Sequence, residues 1–276
     1  MKAVIVGDIH LGITDKQTVQ GVAADAAALN PDVIVFAGDN AESISGVRKF
    51  EQLLKIYRKI YNGPLAVVLG NHDLYVNPQF TKDKTSLDLW GHILKDKANK
   101  IGGVVWLEDD NFVFNEVALV GSYLHYDYSS KDTVGPNAGL SDDYYRINKN
   151  IADIKYHIGL PDDKEFARQI GVKFRERLTN AQNDDNVSKI IVVTHVPCME
   201  CLITRYPHDN EWSKSTAYFG NLSHEEYIKS CTKIVQIVSA HSHVQHFAEV
   251  FSFNRVIKCC TTASDYYNPI NLVIEI

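Results

Sequence analysis

Lys2-Ala3-Val4-Ile5-Val6, followed at once by Gly7-Asp8-Ile9-His10, is the stretch on which the architecture turns. A short apolar run reads as a buried strand and the glycine and aspartate after it as a turn, while residues 16–29 read as a helix that stops before Asn30-Pro31. The same grammar recurs. Val33-Ile34-Val35-Phe36-Ala37 leads into Gly38-Asp39-Asn40 and a helix expected over about 43–61, and residues 65–69 lead into Gly70-Asn71-His72-Asp73. Short apolar runs alternating with amphipathic helices call for βαβ crossovers and a parallel sheet buried on both faces. Two later runs end the same way: 190–194 in His195-Val196-Pro197, and 235–239 in Ala240-His241-Ser242-His243.

Between these blocks the pattern changes. Strands are expected at 103–106, 112–114 and 117–123, then a tyrosine- and aspartate-rich stretch over 123–156 and a helix over 164–181. Residues 247–251, 255–259 and 272–276 read as antiparallel strands of a second sheet, and Ser223 with Glu226 reads as a capping box opening a helix to about 233. No repeat or linker interrupts 1–276, so one domain with a middle insertion or cap at about 74–188 is expected.

Composition narrows the function. Of 276 residues, 45% are apolar and 22% charged, enough to bury a core, and the net charge of −6 disfavours a broad basic surface for nucleic acid. No apolar run approaches the roughly 20 residues of a membrane span. Asp8 cuts short the apolar run before it, against the roughly 7 to 15 apolar residues of a secretory leader, so a cytoplasmic protein with no membrane partner is expected. The five cysteines, Cys198, Cys201, Cys231, Cys259 and Cys260, are odd in number and clustered late, which fits reduced thiols; Cys198 and Cys201 have no second pair at zinc-finger spacing.

Open α/β sheets bind ligands at the carboxyl ends of their strands. Asp8, His10, Asp39, Asn71, His195, His241 and His243 all stand at such ends. Imidazoles, carboxylates and an amide oxygen form a mixed donor set for divalent metals, and seven donors suit two ions sharing a bridge better than one ion. Asp39 is the candidate bridge, since its two oxygens can bind separate cations. Two dications with two carboxylates and a hydroxide leave a net charge of about +1, which draws an anion such as phosphate. Such ions make hydroxide available near neutral pH, leaving a leaving oxygen to be protonated; His72 is the candidate catalytic acid, with Asp73 to orient it.

Gly7-Asp8-Ile9-His10, Gly38-Asp39-Asn40, Gly70-Asn71-His72-Asp73, Thr194-His195 and Ala240-His241-Ser242-His243, in that order, resemble the five signature blocks of the calcineurin-like metallophosphoesterases. The resemblance implies an α/β fold of two mixed β-sheets packed as a sandwich and flanked by helices. It implies that Asp8, His10 and His243 hold one ion, that Asn71, His195 and His241 hold the other, that Asp39 bridges, and that His72 is the acid. The cofactors it implies are two divalent metal ions of the Mn2+, Fe2+/Fe3+ or Zn2+ kind. Two departures stand out. The fifth block begins with Ala240 where glycine is usual, and Ala41-Glu42-Ser43 replaces the further Asp and Arg of the protein serine/threonine phosphatases, which lowers a phosphoprotein reading.

The function expected is hydrolysis of a phosphomonoester or phosphodiester by metal-activated hydroxide, on a phosphorylated small molecule or nucleotide in preference to nucleic acid. A DNA-repair-type nuclease is the alternative, because residues 7–12 resemble the opening block of those enzymes; the acidic balance and absence of a basic arm weigh against it. A silent interaction scaffold on the same fold is a further alternative, although none of the seven donor positions is lost. Blander roles compete at single positions: Asp8 and Asp39 as helix N-caps or turn formers, Asn71 as a left-handed turn residue. His125 and Arg205 are candidate substrate contacts. The tyrosines at 123, 126, 128, 144 and 145 either stack on a substrate or pack. His92, His157, His208 and His224 are assigned no role.

Overall fold

A computed structural model describes residues 1–42, 47–79, 83–149 and 151–276. Among them run the strands β1 (Lys2–Val6), β2 (Val33–Ala37), β3 (Leu65–Val68), β4 (Val104–Trp106), β5 (Phe112–Phe114), β6 (Val117–Ser122), β7 (Lys189–Thr194), β8 (Ile234–Ser239), β9 (Phe247–Ser252), β10 (Arg255–Thr261) and β11 (Leu272–Glu275). They form two mixed sheets, one in the order β11-β1-β2-β3-β4 and the other in the order β5-β6-β7-β8-β10-β9. Helices flank them, including Lys16–Ala28, Arg48–Arg58, Leu94–Ile101 and Asp163–Asn183.

The alternation of side chains explains why the central strands are apolar without a break. Ala3, Ile5, Val33, Val35, Ala66 and Val68 of the first sheet share a core with Leu119, Ile191, Val193 and Val238 of the second. The intervening residues pack elsewhere: Phe36 meets Tyr57 of the helix Arg48–Arg58 edge to face, ring centroids 4.8 Å apart. Each such Val, Ile or Phe side chain removed from water contributes about 1.5–3 kcal/mol. Burial of both faces therefore holds the sandwich together and leaves the strand ends free to carry polar groups.

Four expectations change. The last strand does not join the second sheet: β11 pairs antiparallel with β1, Lys2 opposite Glu275 and Ala3 opposite Ile274. β10 already has β8 on one side, parallel, and β9 on the other, antiparallel, and pairing with β1 buries Ile274 in the apolar core that the two sheets share. The capping box is not formed. Ser223 Oγ donates to Asp127 Oδ2 at 2.5 Å, and the helix that follows is short, Glu225–Ser230. The helix expected over 43–61 is seen as Arg48–Arg58, residue 43 lying outside the described residues. Finally, the stretch 74–188 supplies β4 to one sheet and β5 and β6 to the other, and its helices Leu94–Ile101 and Asp163–Asn183 pack on them. Among the described residues no helix is long and apolar enough to cross a membrane.

Candidate metal centre

The carboxyl ends of β1, β2 and β3 in one sheet face those of β7 and β8 in the other, and hydrogen bonds tie the two sets. His195 Nδ1 donates to Ala37 O at 3.0 Å, and the His241 amide donates to both oxygens of Asp8 at 3.1 Å. Asp8, His10, Asp39, His241 and His243 all have positive φ, between 46° and 69°. Residues other than glycine adopt this left-handed backbone at a cost, and clusters of it mark functional sites. Here it turns each chain back as it leaves its strand, which rules out helix N-caps at Asp8 and Asp39. At Asn71 the backbone is right-handed (φ −64°), which removes the competing reading of a left-handed turn residue.

Gly38 and Gly70 make room for the convergence. A Cβ on Gly38 would lie 2.3 Å from His195 Nδ1, and one on Gly70 would lie 2.2 Å from Asp39 Oδ1. Ala240 is accommodated because it lies outside the left-handed region and its methyl group faces Gly7, where a second Cβ would come within 2.7 Å.

Three clusters of donor atoms, each within 4.8 Å, result: Asp8, His10 and His243; His10, Asp39 and His72; Asp39, His195 and His241. Asn71 joins the last through Oδ1, 3.1 Å from His195 Nε2. The two oxygens of Asp39 point apart, Oδ1 3.4 Å from His195 Nε2 and Oδ2 3.6 Å from His10 Nε2. Two donors bound at about 2.0–2.2 Å to one ion sit roughly 3.0–3.5 Å apart, so these spacings fit shared cations.

Hydrogen bonds at the outer ring nitrogens select the tautomers. His195 Nδ1, His241 Nε2 and His243 Nδ1 each face a backbone carbonyl, of Ala37, Tyr218 and Ser264, so each carries its proton there and turns a bare nitrogen inward. His10 is fully buried with neither ring nitrogen partnered. A buried polar atom without a partner is costly, and a cation is the partner this donor set suits. Burial lowers His10 well below the ordinary imidazole range, with the neighbouring His72, His243 and His241 adding to it, and burial brings His241 down to about 4. Both rings are neutral near pH 7. Burial raises Asp8 to about 6 and Asp39 well above the carboxylate range, a penalty that nearby positive charge relieves.

His72 lies at the mouth. Burial lowers its pKa, but the Asp39 charge and a hydrogen bond to Glu42 outweigh it and hold the ring at about 9. The orienting carboxylate is Glu42, whose Oε2 is 2.8 Å from His72 Nδ1, leaving Nε2 toward Asp39 Oδ2 at 4.0 Å. Asp73, expected in that role, instead accepts from the backbone amides of Asn40, Ala41 and Gly70 and from the Asn40 amide, fixing the loops beneath.

The two candidate substrate contacts lie elsewhere. His125 is fully buried, Nε2 3.0 Å from Asp163 Oδ1 and Nδ1 2.7 Å from the Tyr123 hydroxyl, which leaves no face for a substrate. Arg205 is forked onto Glu200 and also bonds Asp132 and the Ser130 carbonyl, so its donors are engaged. Tyr123, Tyr126, Tyr128 and Tyr145 are buried packing residues. The cysteines are free thiols, none of them in a metal-sized cluster among the described residues. Tyr266, which carried no motif, stacks on His243 and tilts over His10, centroids 4.6 Å away in both cases, and borders the opening.

The calcineurin-like phosphoesterase family model matches residues 1–245. Among solved structures, a phosphopantetheinyl hydrolase from Mycobacterium tuberculosis superposes with a TM-score of 0.71 at 19% identity, covering 96% of this chain and 90% of that one. A dimetal phosphatase from Danio rerio superposes with a TM-score of 0.54 at 12% identity, covering 95% and 86%. At such identities the likeness is one of fold. No curated protein sequence matches significantly. With its model matched from β1 through β8, the family is established: this chain belongs to the calcineurin-like phosphoesterases.

Proposed function

We propose that the chain is a dinuclear metal-dependent phosphoesterase acting on a phosphomonoester or phosphodiester. The observation that carries this reading is the divergence of the two Asp39 oxygens, one toward His195 and His241 and the other toward His10. Asp8, His10 and His243 would hold one ion, Asn71, His195 and His241 the second, and Asp39 would bridge. Two such ions supply a hydroxide nucleophile at neutral pH and neutralise charge on the phosphoryl oxygens. The protein's own part is to hold inward-facing lone pairs in fixed tautomers and to keep a proton on His72 for the leaving oxygen. Glu42 anchors that ring through Nδ1, so Nε2 is the atom that gives up the proton.

The substrate class follows from charge. Asp8, Asp39, Glu42, Asp73 and Asp153 surround the site, so an anion is repelled until cations occupy it. A compact phosphorylated small molecule or nucleotide suits this better than a nucleic acid, for which a chain of net charge −6 offers no broad basic track. The solved dimetal phosphatase of the same fold is in keeping with the metal requirement.

Asp39→Asn tests the reading. The expected outcome is loss of one or both Mn2+ ions by elemental analysis, with hydrolysis of an aryl phosphate and of its diester reduced by about 10³-fold or more, the scale of losing a principal electrostatic group. Full metal content together with full hydrolysis would overturn it.

A further inference from the structure

Asn71 can ligate a metal only through its amide oxygen, yet its side-chain NH2 group has almost the same shape, and a half-turn of the amide would exchange the two. We infer that Asp153, together with Tyr75, is a positioning pair that decides which end of the Asn71 amide faces the second metal position; this rests on the dinuclear reading above.

The donor inventory behind Asn71 carries the inference. Its Nδ2 lies 3.3 Å from the Tyr75 hydroxyl and 3.4 Å from Asp153 Oδ1. Tyr75 donates its own proton to Asp153 Oδ1 at 2.6 Å, and Tyr126 donates to Asp153 Oδ2 at 2.8 Å. Both phenolic protons are thus committed to the carboxylate, and everything that faces the Asn71 amide from behind is a lone pair. Only the NH2 end fits there. A flipped amide would set its oxygen against two acceptors in a buried place, where unpaired polar groups are most costly.

On the other side the reasoning is complementary. His195 Nδ1 faces the Ala37 carbonyl, so Nε2 carries a lone pair, and Asn71 Oδ1 lies 3.1 Å from it. Two acceptors at that distance are not hydrogen bonded. A cation between them is the partner that both lone pairs could share. The backbone of Asn71 is held from the same direction, since His157 Nε2 donates to its carbonyl at 3.1 Å. Asp153 and His157 both come from residues 151–157, so this segment reaches beneath a ligand 82 residues earlier in the chain.

The test is Mn2+ binding to purified, metal-free protein, read by calorimetry and by electron paramagnetic resonance. Wild type is expected to take up two ions with an exchange-coupled spectrum. Asp153→Asn, which brings a second donor group against the amide, is expected to keep the ion at Asp8, His10 and His243 and to weaken the second by about 10- to 100-fold, the usual cost of losing a ligand's outer support. Its spectrum should be that of an isolated Mn2+. Tyr126→Phe, which leaves Asp153 Oδ1 facing the amide, should retain the coupled spectrum. If Asp153→Asn fails to fold by circular dichroism, Tyr75→Phe carries the same expectation with a smaller loss. A coupled two-ion spectrum with unchanged second-ion affinity in the folded Asp153 and Tyr75 variants overturns the inference. Equal weakening of both ions also overturns it, since that is a general structural effect. A wild type that binds fewer than two ions would instead overturn the dinuclear reading, before the variants are compared.

Discussion

Gly70 shows how tightly single residues are constrained. An added methyl group would lie 2.2 Å from Asp39 Oδ1, 2.3 Å from the Asp39 amide nitrogen and 2.8 Å from His195 Cε1, none of them the free end of a flexible chain. Gly70→Ala is therefore expected to lower stability by about 1–3 kcal/mol, the range for overpacking, and to displace the Asp39 carboxylate. Urea unfolding and Mn2+ titration measure the two effects together. A variant with unchanged unfolding midpoint and unchanged affinity would contradict this account. At the same scale, what could be read from sequence was whatever sits beside a strand end: the seven candidate donors and His72, which the fold brings together, stood out because each follows an apolar run. Glu42 and Asp153 were not. Glu42 reaches His72 across 30 residues, and Asp153 reaches Asn71 across 82, so no local spacing announces either. Asp73 was misread for the opposite reason. Its place next to His72 suggested contact, but adjacent residues in a tight turn diverge, and its carboxylate went to the backbone amides instead.

Elements obey a similar division between local and distant causes. The helix Lys16–Ala28 could be placed from sequence because its start is local, with Asp15 accepting from the amides of Gln17 and Thr18 at 2.8 and 3.0 Å. The helix proposed to begin at Ser223 failed because a distant partner, Asp127, claimed the capping hydroxyl. β11 went to the other sheet for a reason no periodicity contains, namely a pairing with the opposite end of the chain that buries Ile274. The contrast extends to two helical glycines. Nothing lies within 4 Å of a Cβ built on Gly21, so Gly21→Ala should stabilise by about 1 kcal/mol through helix propensity alone. A Cβ on Gly171, in Asp163–Asn183, would lie 2.5 Å from His224 Nε2, and that ring is held in place by Arg175 Nε at 3.0 Å. Gly171→Ala should therefore destabilise by about 1–2 kcal/mol, overpacking exceeding the propensity gain. Chemical denaturation of both variants should give shifts of opposite sign, and two shifts of the same sign would refute the packing argument.

In the molecule as a whole, the two sheets are tied at the site as well as through their core. Crossings near the site include His195 to Ala37, His241 to Asp8 and Thr262 to Asp8. Removing metal should accordingly loosen more than the catalytic groups. Chelation is expected to abolish phosphate binding, because uncompensated carboxylates then face the anion, and to lower the thermal midpoint. At an ion concentration about 100 times the dissociation constant, one site adds about 2.7 kcal/mol of stability. Differential scanning calorimetry with chelator and with Mn2+ checks the second effect, and phosphate titration the first. A metal-independent midpoint would show that the ions and the fold are uncoupled.

The five left-handed residues, Asp8, His10, Asp39, His241 and His243, have a consequence for how such a protein fares over time. Each reversed turn is costly by about 1–3 kcal/mol and persists only where its surroundings enforce it. A chain made faster than metal reaches it would carry that cost without relief, and a larger fraction would stand open to proteolysis. Substitutions that weaken ion binding should therefore lower the amount of protein as well as its turnover number, and metal scarcity should thin the population before it slows the survivors.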